Sequence, residues 1–291
     1  MNLQHLQNYR PPSFNDKLNQ RISPYPFDRY GLPKNTRYSP LNMMDVGFLG
    51  VAGKLGGFDY AELKAYWKFN EASGNILNVC DTTPSSDCLT SNDDMVVTGA
   101  TYGATGKIGD ALSFDGTDDK TEAANFVGLS AIQKFTINGW WKQDALDVKA
   151  GGFEIATADN GDSIGFTTWT DGIMYGYMEN GLGLNANIDD YSLSVTAGTW
   201  FMYTMVFDGT LSGNTNRLKI FIDSVSETLT YSDTIPATTA THTSRPFRLG
   251  MQTTSTNEFW NGDIDEVSIW NRPLTQSEID ELYNSGSGLE L

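Results

Sequence analysis

The chain has 291 residues, a net charge of −17, 39% hydrophobic and 12% aromatic content, and 29 glycines. That is too apolar for a disordered chain and enough for one large all-β domain, with glycines to spare for tight turns between short strands. Residues 1–60 hold seven Lys/Arg against four Asp, a net of +3, so the other 231 carry −20, which sets the body against nucleic acid and anionic membrane as partners.

Taken from the start, MNLQHLQNYRPPSFND has no basic opening followed by an apolar run, so no secretory leader is expected. The longest apolar stretch, VGFLGVAGKLGGF, is broken by Lys54 and falls well short of the roughly 20 residues of a bilayer span, so no membrane insertion is expected. Pro11, Pro12, Pro24, Pro26, Pro33 and Pro40 interrupt any regular period, and the rings of Tyr9, Phe14, Tyr25, Phe27, Tyr30 and Tyr38 interleave with the cations. With too few aliphatic residues for its own core, residues 1–60 read as an extended basic and aromatic anchoring arm or as a disordered leader, and residues 61–291 as one domain. Cys80 and Cys88, eight apart in NVCDTTPSSDCLTSNDD, either staple a surface loop as a disulfide or stand as two free thiols. Their spacing is not that of a zinc site.

From Ala65 the chain changes to short alternating segments punctuated by Gly, Asn, Asp and Thr. Strands are predicted at 65–69, 110–116, 134–142, 164–169, 173–178, 200–209, 217–223, 246–252 and 266–270. In RLKIFID, Leu218, Ile220 and Ile222 share one face while the charged residues share the other, the pattern of a strand with core on one side. WFMYTMVF is apolar on both faces and is placed centrally. The last element, TQSEIDELYNSG, has a capping box between Thr275 and Glu278, an apolar face of Ile279, Leu282 and Tyr283, and a stop at Gly286, so it reads as a short helix closing the end of a sandwich. Trp140, Trp141, Trp200 and Trp270 read as packing residues. His5 and His242 lie in no nucleophile motif and are expected to be solvated.

The run NGDIDEVSIWNRPLTQSEIDELYNSG (261–286) resembles the C-terminal signature of laminin-G-like jelly rolls of bacterial and phage type. It is preceded, in the family's order, by AYWKFNEASG, GKIGDALSFDGTDD, FTINGWWK and LKIFIDS, so the resemblance covers about residues 61–286. It implies an all-β, two-sheet antiparallel jelly-roll sandwich of concanavalin-A type, with a short C-terminal helix behind the extended N-terminal arm. Members serve as carbohydrate-binding, adhesion and spacer modules, and fold alone does not choose among them.

Two ligand chemistries follow. Hard cations want clustered oxygens, and Asp115, Asp118, Asp119, Asp263, Asp265 and Glu266 sit in the two acidic motifs, with Glu71 after the first strand. The resemblance implies a structural calcium held by the Asp265 side chain with carbonyls near Glu71 and Asp115; the alternative is that these acids cap turns. Pyranose rings stack on flat aromatics, and Trp169, Tyr175 and Tyr177 are the candidate rings, the two tyrosines sharing one side of their strand; the alternative is that they face the core. Hydrolases of similar fold need three alternating acids on one strand, whereas here Asp263 and Asp265 are followed by Val267, so no enzyme activity is expected.

These readings point to a virion structural protein of capsid-decoration, head or tail-fibre type, anchored to capsid or tail proteins by its arm. It would display a lectin-like domain toward surface glycans, with homo-oligomeric copies adding avidity. The alternatives are an extracellular or cell-surface bacterial adhesion module, and a decoration domain without a ligand.

Overall fold

The structure, a computed structural model, describes residues 54–55, 58–80, 93–156, 162–178, 185–188, 194–242, 244–252 and 258–291. The expected arm therefore lies outside the described residues except at its end, where β1 (Lys54–Leu55) and β2 (Phe58–Asp59) pair with each other. The remaining strands, in chain order, are β3 (Leu63–Trp67), β4 (Met95–Thr98), β5 (Thr101–Thr105), β6 (Asp110–Asp115), β7 (Lys120–Ala123), β8 (Lys134–Gln143) and β9 (Ala150–Ala156). They continue with β10 (Ser163–Thr168), β11 (Met174–Met178), β12 (Asn185–Ile188), β13 (Trp200–Asp208), β14 (Leu218–Ile222), β15 (Val225–Ser226), β16 (Thr230–Tyr231), β17 (Phe247–Leu249) and β18 (Asn261–Trp270).

Among the described residues these form two antiparallel sheets. The first runs β15-β14-β13-β8-β18-β6-β5, with β3 also on β18; the second runs β16-β12-β11-β10-β9-β17-β7-β4. Their inner faces meet in one core. Phe201, Tyr203, Met205 and Phe207 of β13, Leu218, Ile220 and Ile222 of β14, and Ile137 and Trp141 of β8 come from the first sheet. Phe153 and Ile155 of β9, Ile164 and Phe166 of β10, and Phe247 and Leu249 of β17 come from the second. The Phe166 ring stacks on Tyr203 at 4.2 Å between centroids and meets Trp141 edge-on at 5.1 Å, so aromatic contacts join the layers.

Every predicted strand overlaps an observed one, and β13 is central, between β14 and β8, as its two apolar faces require. The alternation fails to announce β7 (KTEA), β5 (TYGAT) and β9 (AGGFEIA), whose sequences hold few large apolar residues. In β9, a Cβ on Gly152 would overlap the Phe166 ring, so a glycine that reads as a turn is the space a core ring occupies.

The outer face of the first sheet carries its own smaller cluster: Tyr66, Trp140, Met202, Phe221 and Trp270, with Ile279 and Leu282 of the C-terminal helix Gln276–Tyr283. The helix begins with the expected capping box. The Glu278 N–H donates to Thr275 Oγ1, the Thr275 N–H donates to Glu278 Oε2 at 2.8 Å, and the same carboxylate takes both terminal nitrogens of Arg272 at 2.8 and 3.0 Å. Arg272 also donates to the carbonyls of Asp59 and Ala61, tying the helix start to the chain entering β3.

Candidate functional site

The outer face of the second sheet is built differently. In β11, Met174 and Met178 enter the core, so the alternating Tyr175 and Tyr177 point away from it. In β10, Ile164 and Phe166 are inward, so Ser163, Gly165 and Thr167 are outward, and Trp169 continues that side. The structure thus brings the three expected rings, Trp169, Tyr175 and Tyr177, to one face, with Trp169 and Tyr175 half-buried and Tyr177 buried as the alternative had it.

Two subsets form there. Trp169 meets Tyr175 edge-on at 5.8 Å, both half-buried. The Lys149 ammonium lies 3.5 Å from the centre of the Trp169 ring and 3.0 Å from Glu258 Oε1, so a cation held by a carboxylate sits on one face of the indole. The other oxygen, Glu258 Oε2, is buried and accepts no hydrogen bond among the described residues.

Tyr177 is 3% exposed and donates its hydroxyl to Glu154 Oε1 at 3.1 Å. To reach it, the ring crosses Gly165, which stands between them in the register; a Cβ there would fall 2.5 Å from the Tyr177 hydroxyl oxygen. The same register row continues from Glu154 to Arg248 of β17 and then to Glu122 of β7. Arg248 Nε donates to Glu122 Oε2 at 2.8 Å and Lys120 Nζ approaches the same oxygen at 3.1 Å. Both cations hold the Glu122 carboxyl below its ordinary value against the opposing effect of its burial. The face therefore combines half-buried rings with carboxylates and cations joined in pairs, where an outward row would ordinarily carry solvated residues. Tyr175 and Tyr177 were legible from alternation. Lys149 and Glu258 were not, because they come from segments 109 positions apart.

The expected calcium ligands fall in separate places. Asp265 is fully buried in β18, where its Oδ2 takes the Ile108 N–H at 2.9 Å and a Cβ on Gly106 would lie 2.7 Å from that oxygen. Its Oδ1 has no hydrogen-bond partner among the described residues, and neither has the buried Oε1 of the adjacent Glu266. Burial pushes Asp265 up to about 7 and Glu266 up to about 8, each raised further by a neighbouring carboxylate. The Tyr66 hydroxyl donates to Glu266 Oε2 and accepts the Leu291 N–H. Glu266 also sits at φ 53 within the register shift of β18, a bulge that turns consecutive acids out of strict alternation.

Asp115 pairs with Asn261, four residues along β18 from Asp265, or about 13 Å at ~3.3 Å per residue. It sits instead with Asp118 and Asp119, the one group of three acids among the described residues whose oxygens lie within 4.8 Å of one another. That loop uses its own backbone as donor: Thr117 N–H to Asp115 and Asp115 N–H to Asp119. Glu71 accepts the Leu77 N–H at 2.9 Å, and its second oxygen is buried without a hydrogen-bond partner. The adjacent Asn70 accepts the Asp110 N–H at 2.7 Å, which brings the loop after β3 to the same hairpin that Asp265 contacts. Oxygens without a hydrogen-bond partner among the described residues thus occur on Asp265, Glu266 and Glu71, but these three do not gather within 4.8 Å of one another.

Cys80 is fully buried and disulfide-bonded, while Cys88 lies outside the described residues. The expectation of a solvated His242 is corrected: it is fully buried, its backbone N–H donates to Ser130 Oγ at 2.9 Å, and its Nε2 lies 3.3 Å from the Asp162 carbonyl oxygen. Burial lowers its pKa, so the ring is a neutral packing group in the Thr-rich loop. His5 lies outside the described residues. Trp140, Trp141 and Trp270 are buried as expected, and Trp200 packs partly buried against the outer cluster of the first sheet.

With the geometry in hand, comparison with known proteins adds the family. The model of the concanavalin A-like lectin/glucanases superfamily matches residues 115–280, more than half of the chain. No curated protein matches it in sequence. Among solved structures, domain 4 of AbnA, a GH43 extracellular arabinanase from Geobacillus stearothermophilus, in complex with arabinotriose, aligns with TM-score 0.52 and 20% identity over 76% of this chain and 97% of that domain. Trypanosoma rangeli sialidase aligns with TM-score 0.55 and 13% identity over 79% of this chain and 34% of that one. The binding domain of botulinum neurotoxin serotype D aligns with TM-score 0.54 and 13% identity over 77% of this chain and 51% of that one. At these identities the likeness is one of fold.

Proposed function

The chain belongs to the concanavalin A-like lectin/glucanases superfamily, and from that premise we propose that it is a non-catalytic glycan-binding protein whose ligand lies on the outer face of the second sheet. The observation that carries this reading is the gathering of Trp169, Tyr175 and the Lys149–Glu258 pair on a face turned away from the core. A sugar needs a flat ring for its C–H face and fixed polar groups for its hydroxyls, and this cluster offers both within one strand spacing. The arabinanase domain, which shares the fold, is seen in complex with arabinotriose. A non-catalytic role is supported by the state of the acids: Glu258 and Glu122 are each bonded to cations and Glu154 to a phenol, where glycoside cleavage needs an acid and a base or nucleophile facing the bond.

The finer reading is a virion protein of decoration or fibre type, held to capsid or tail proteins by residues 1–60 and presenting this face outward; it rests on the contrast between the +3 arm and the −20 body. The same features suit an extracellular or cell-surface adhesion module, with or without homo-oligomeric avidity. Glycan-array binding by the full chain that disappears in Trp169→Ala and Tyr175→Ala is the expected result; binding unchanged in both variants removes the site. Deletion of residues 1–60 is expected to abolish incorporation into particles, and unchanged incorporation removes the virion reading.

A structural calcium is the second proposal, with Asp265 as its side-chain ligand, where it would supply the positive charge that the buried Oδ1 lacks among the described residues. Asp115 stands too far along the register to share it, and its own loop is a separate candidate. Calcium is expected to raise the melting temperature of the wild type and not of Asp265→Asn; an equal rise in both removes Asp265 as a ligand.

A further inference from the structure

We propose that this face selects uncharged, hydroxyl-bearing sugars and discriminates against glycans carrying carboxylate or sulfate, an inference that rests on the glycan reading above. Its basis is the state of the charges. Among the described residues the outer face presents three cations, Lys149, Arg248 and Lys120, and each is bonded to a carboxylate: Lys149 to Glu258 at 3.0 Å, Arg248 to Glu122 at 2.8 Å, and Lys120 to the same Glu122 at 3.1 Å. With Glu154 the acids of this described row number three as well, so among the described residues these cations and carboxylates balance, and the body around them is strongly acidic. An arriving carboxylate would have to displace a protein carboxylate from its partner, and like charges set side by side at a binding surface are unfavourable.

The unmet demand has the opposite sense. Glu258 Oε1 is held by Lys149, while its Oε2 is buried and takes no hydrogen bond among the described residues; as a carboxylate oxygen it can only accept. A carboxylate or sulfate brought up to this carboxylate would add like charge with no proton to give, whereas a sugar hydroxyl carries one. Lys149 occupies one face of the Trp169 indole at 3.5 Å, which leaves the opposite side of the ring for the sugar's apolar C–H face.

The test is a panel of neutral oligosaccharides (arabino-, xylo-, gluco- and manno-) against sialylated, uronic-acid and sulfated ones, titrated into the full chain and into Glu258→Gln and Glu122→Gln. The expected result is a preference of about tenfold or more for neutral members, with an affinity that changes less than about twofold between low salt and ~0.5 M salt. Glu258→Gln, which frees Lys149, should narrow that preference, and Glu122→Gln, which frees Arg248 and Lys120, should do so in a second place should the first variant fold poorly. Equal or tighter binding of the charged members, weakening with salt, overturns the selectivity while leaving the glycan reading intact. Absence of binding by every member overturns both.

Discussion

The two sheets share one core and treat their outer faces in opposite ways. On the first sheet the outer side chains are large and apolar, and a capped helix lies on them, with Ile279 and Leu282 against Trp140, Met202 and Trp270. On the second, the outer row runs Tyr177, Gly165, Glu154, Arg248 and Glu122, with Trp169, Tyr175 and Lys149 beside it, and no helix of the described residues covers it. The first is closed by the chain itself. The second carries half-buried rings, Trp169 and Tyr175, beside cations and carboxylates joined in pairs, and the proposed glycan site rests on that contrast.

The contrast can be broken or sharpened by mutation. The largest effect belongs to the shared interior: Trp141→Ala, which removes a ring touching Phe153, Phe166 and Tyr203, is expected to lose about 3–5 kcal/mol by denaturant unfolding, against about 1 kcal/mol or less for Trp169→Ala on the outer face. Similar losses at both positions would make Trp169 a packing residue. Next comes the closure of the first sheet. Glu278→Ala removes the capping box and both Arg272 bonds and is expected to cost about 1–2 kcal/mol while leaving glycan affinity unchanged.

The pH dependence of the first sheet is a smaller effect with a defined sign. Asp265 and Glu266 rise from 3.8 and 4.5 to about 7 and about 8 on folding, so the fold favours their protonated forms. Their contribution is fully present below pH ~4 and is lost as pH climbs through 7 and 8. In chelator, stability should therefore fall over that interval, and Asp265→Asn should flatten the fall; added calcium should offset it in the wild type alone. The opposite slope, with stability rising toward pH 8 in chelator, would contradict the burial of these carboxyls without a cation. His242 acts at the other end: its lowered pKa means stability present above about 6.5 and lost as pH falls through the folded value, the smallest of these effects.

Much of this fold was legible in the sequence, for reasons that name its exceptions. Strands such as β13 and β14 declare themselves because every second residue is large and apolar, and the C-terminal helix because Thr275 and Glu278 cap each other. β9 stayed hidden because its core-facing Gly152 leaves room for Phe166 instead of filling space itself. At the site, alternation was enough to put Tyr175 beside Tyr177. It could not supply Lys149 and Glu258, which meet only when distant segments fold together, nor reveal that Asp115 and Asp265 stand at different heights on β18, which depends on register.

Amide hydrogen exchange on the full chain, with and without a bound neutral oligosaccharide, tests most directly which face takes the ligand. Slower exchange is expected in Ser163–Trp169 and Met174–Met178, with no change in the helix Gln276–Tyr283. Protection confined to that helix and to the strands beneath it would contradict the assignment of the second sheet as the binding face.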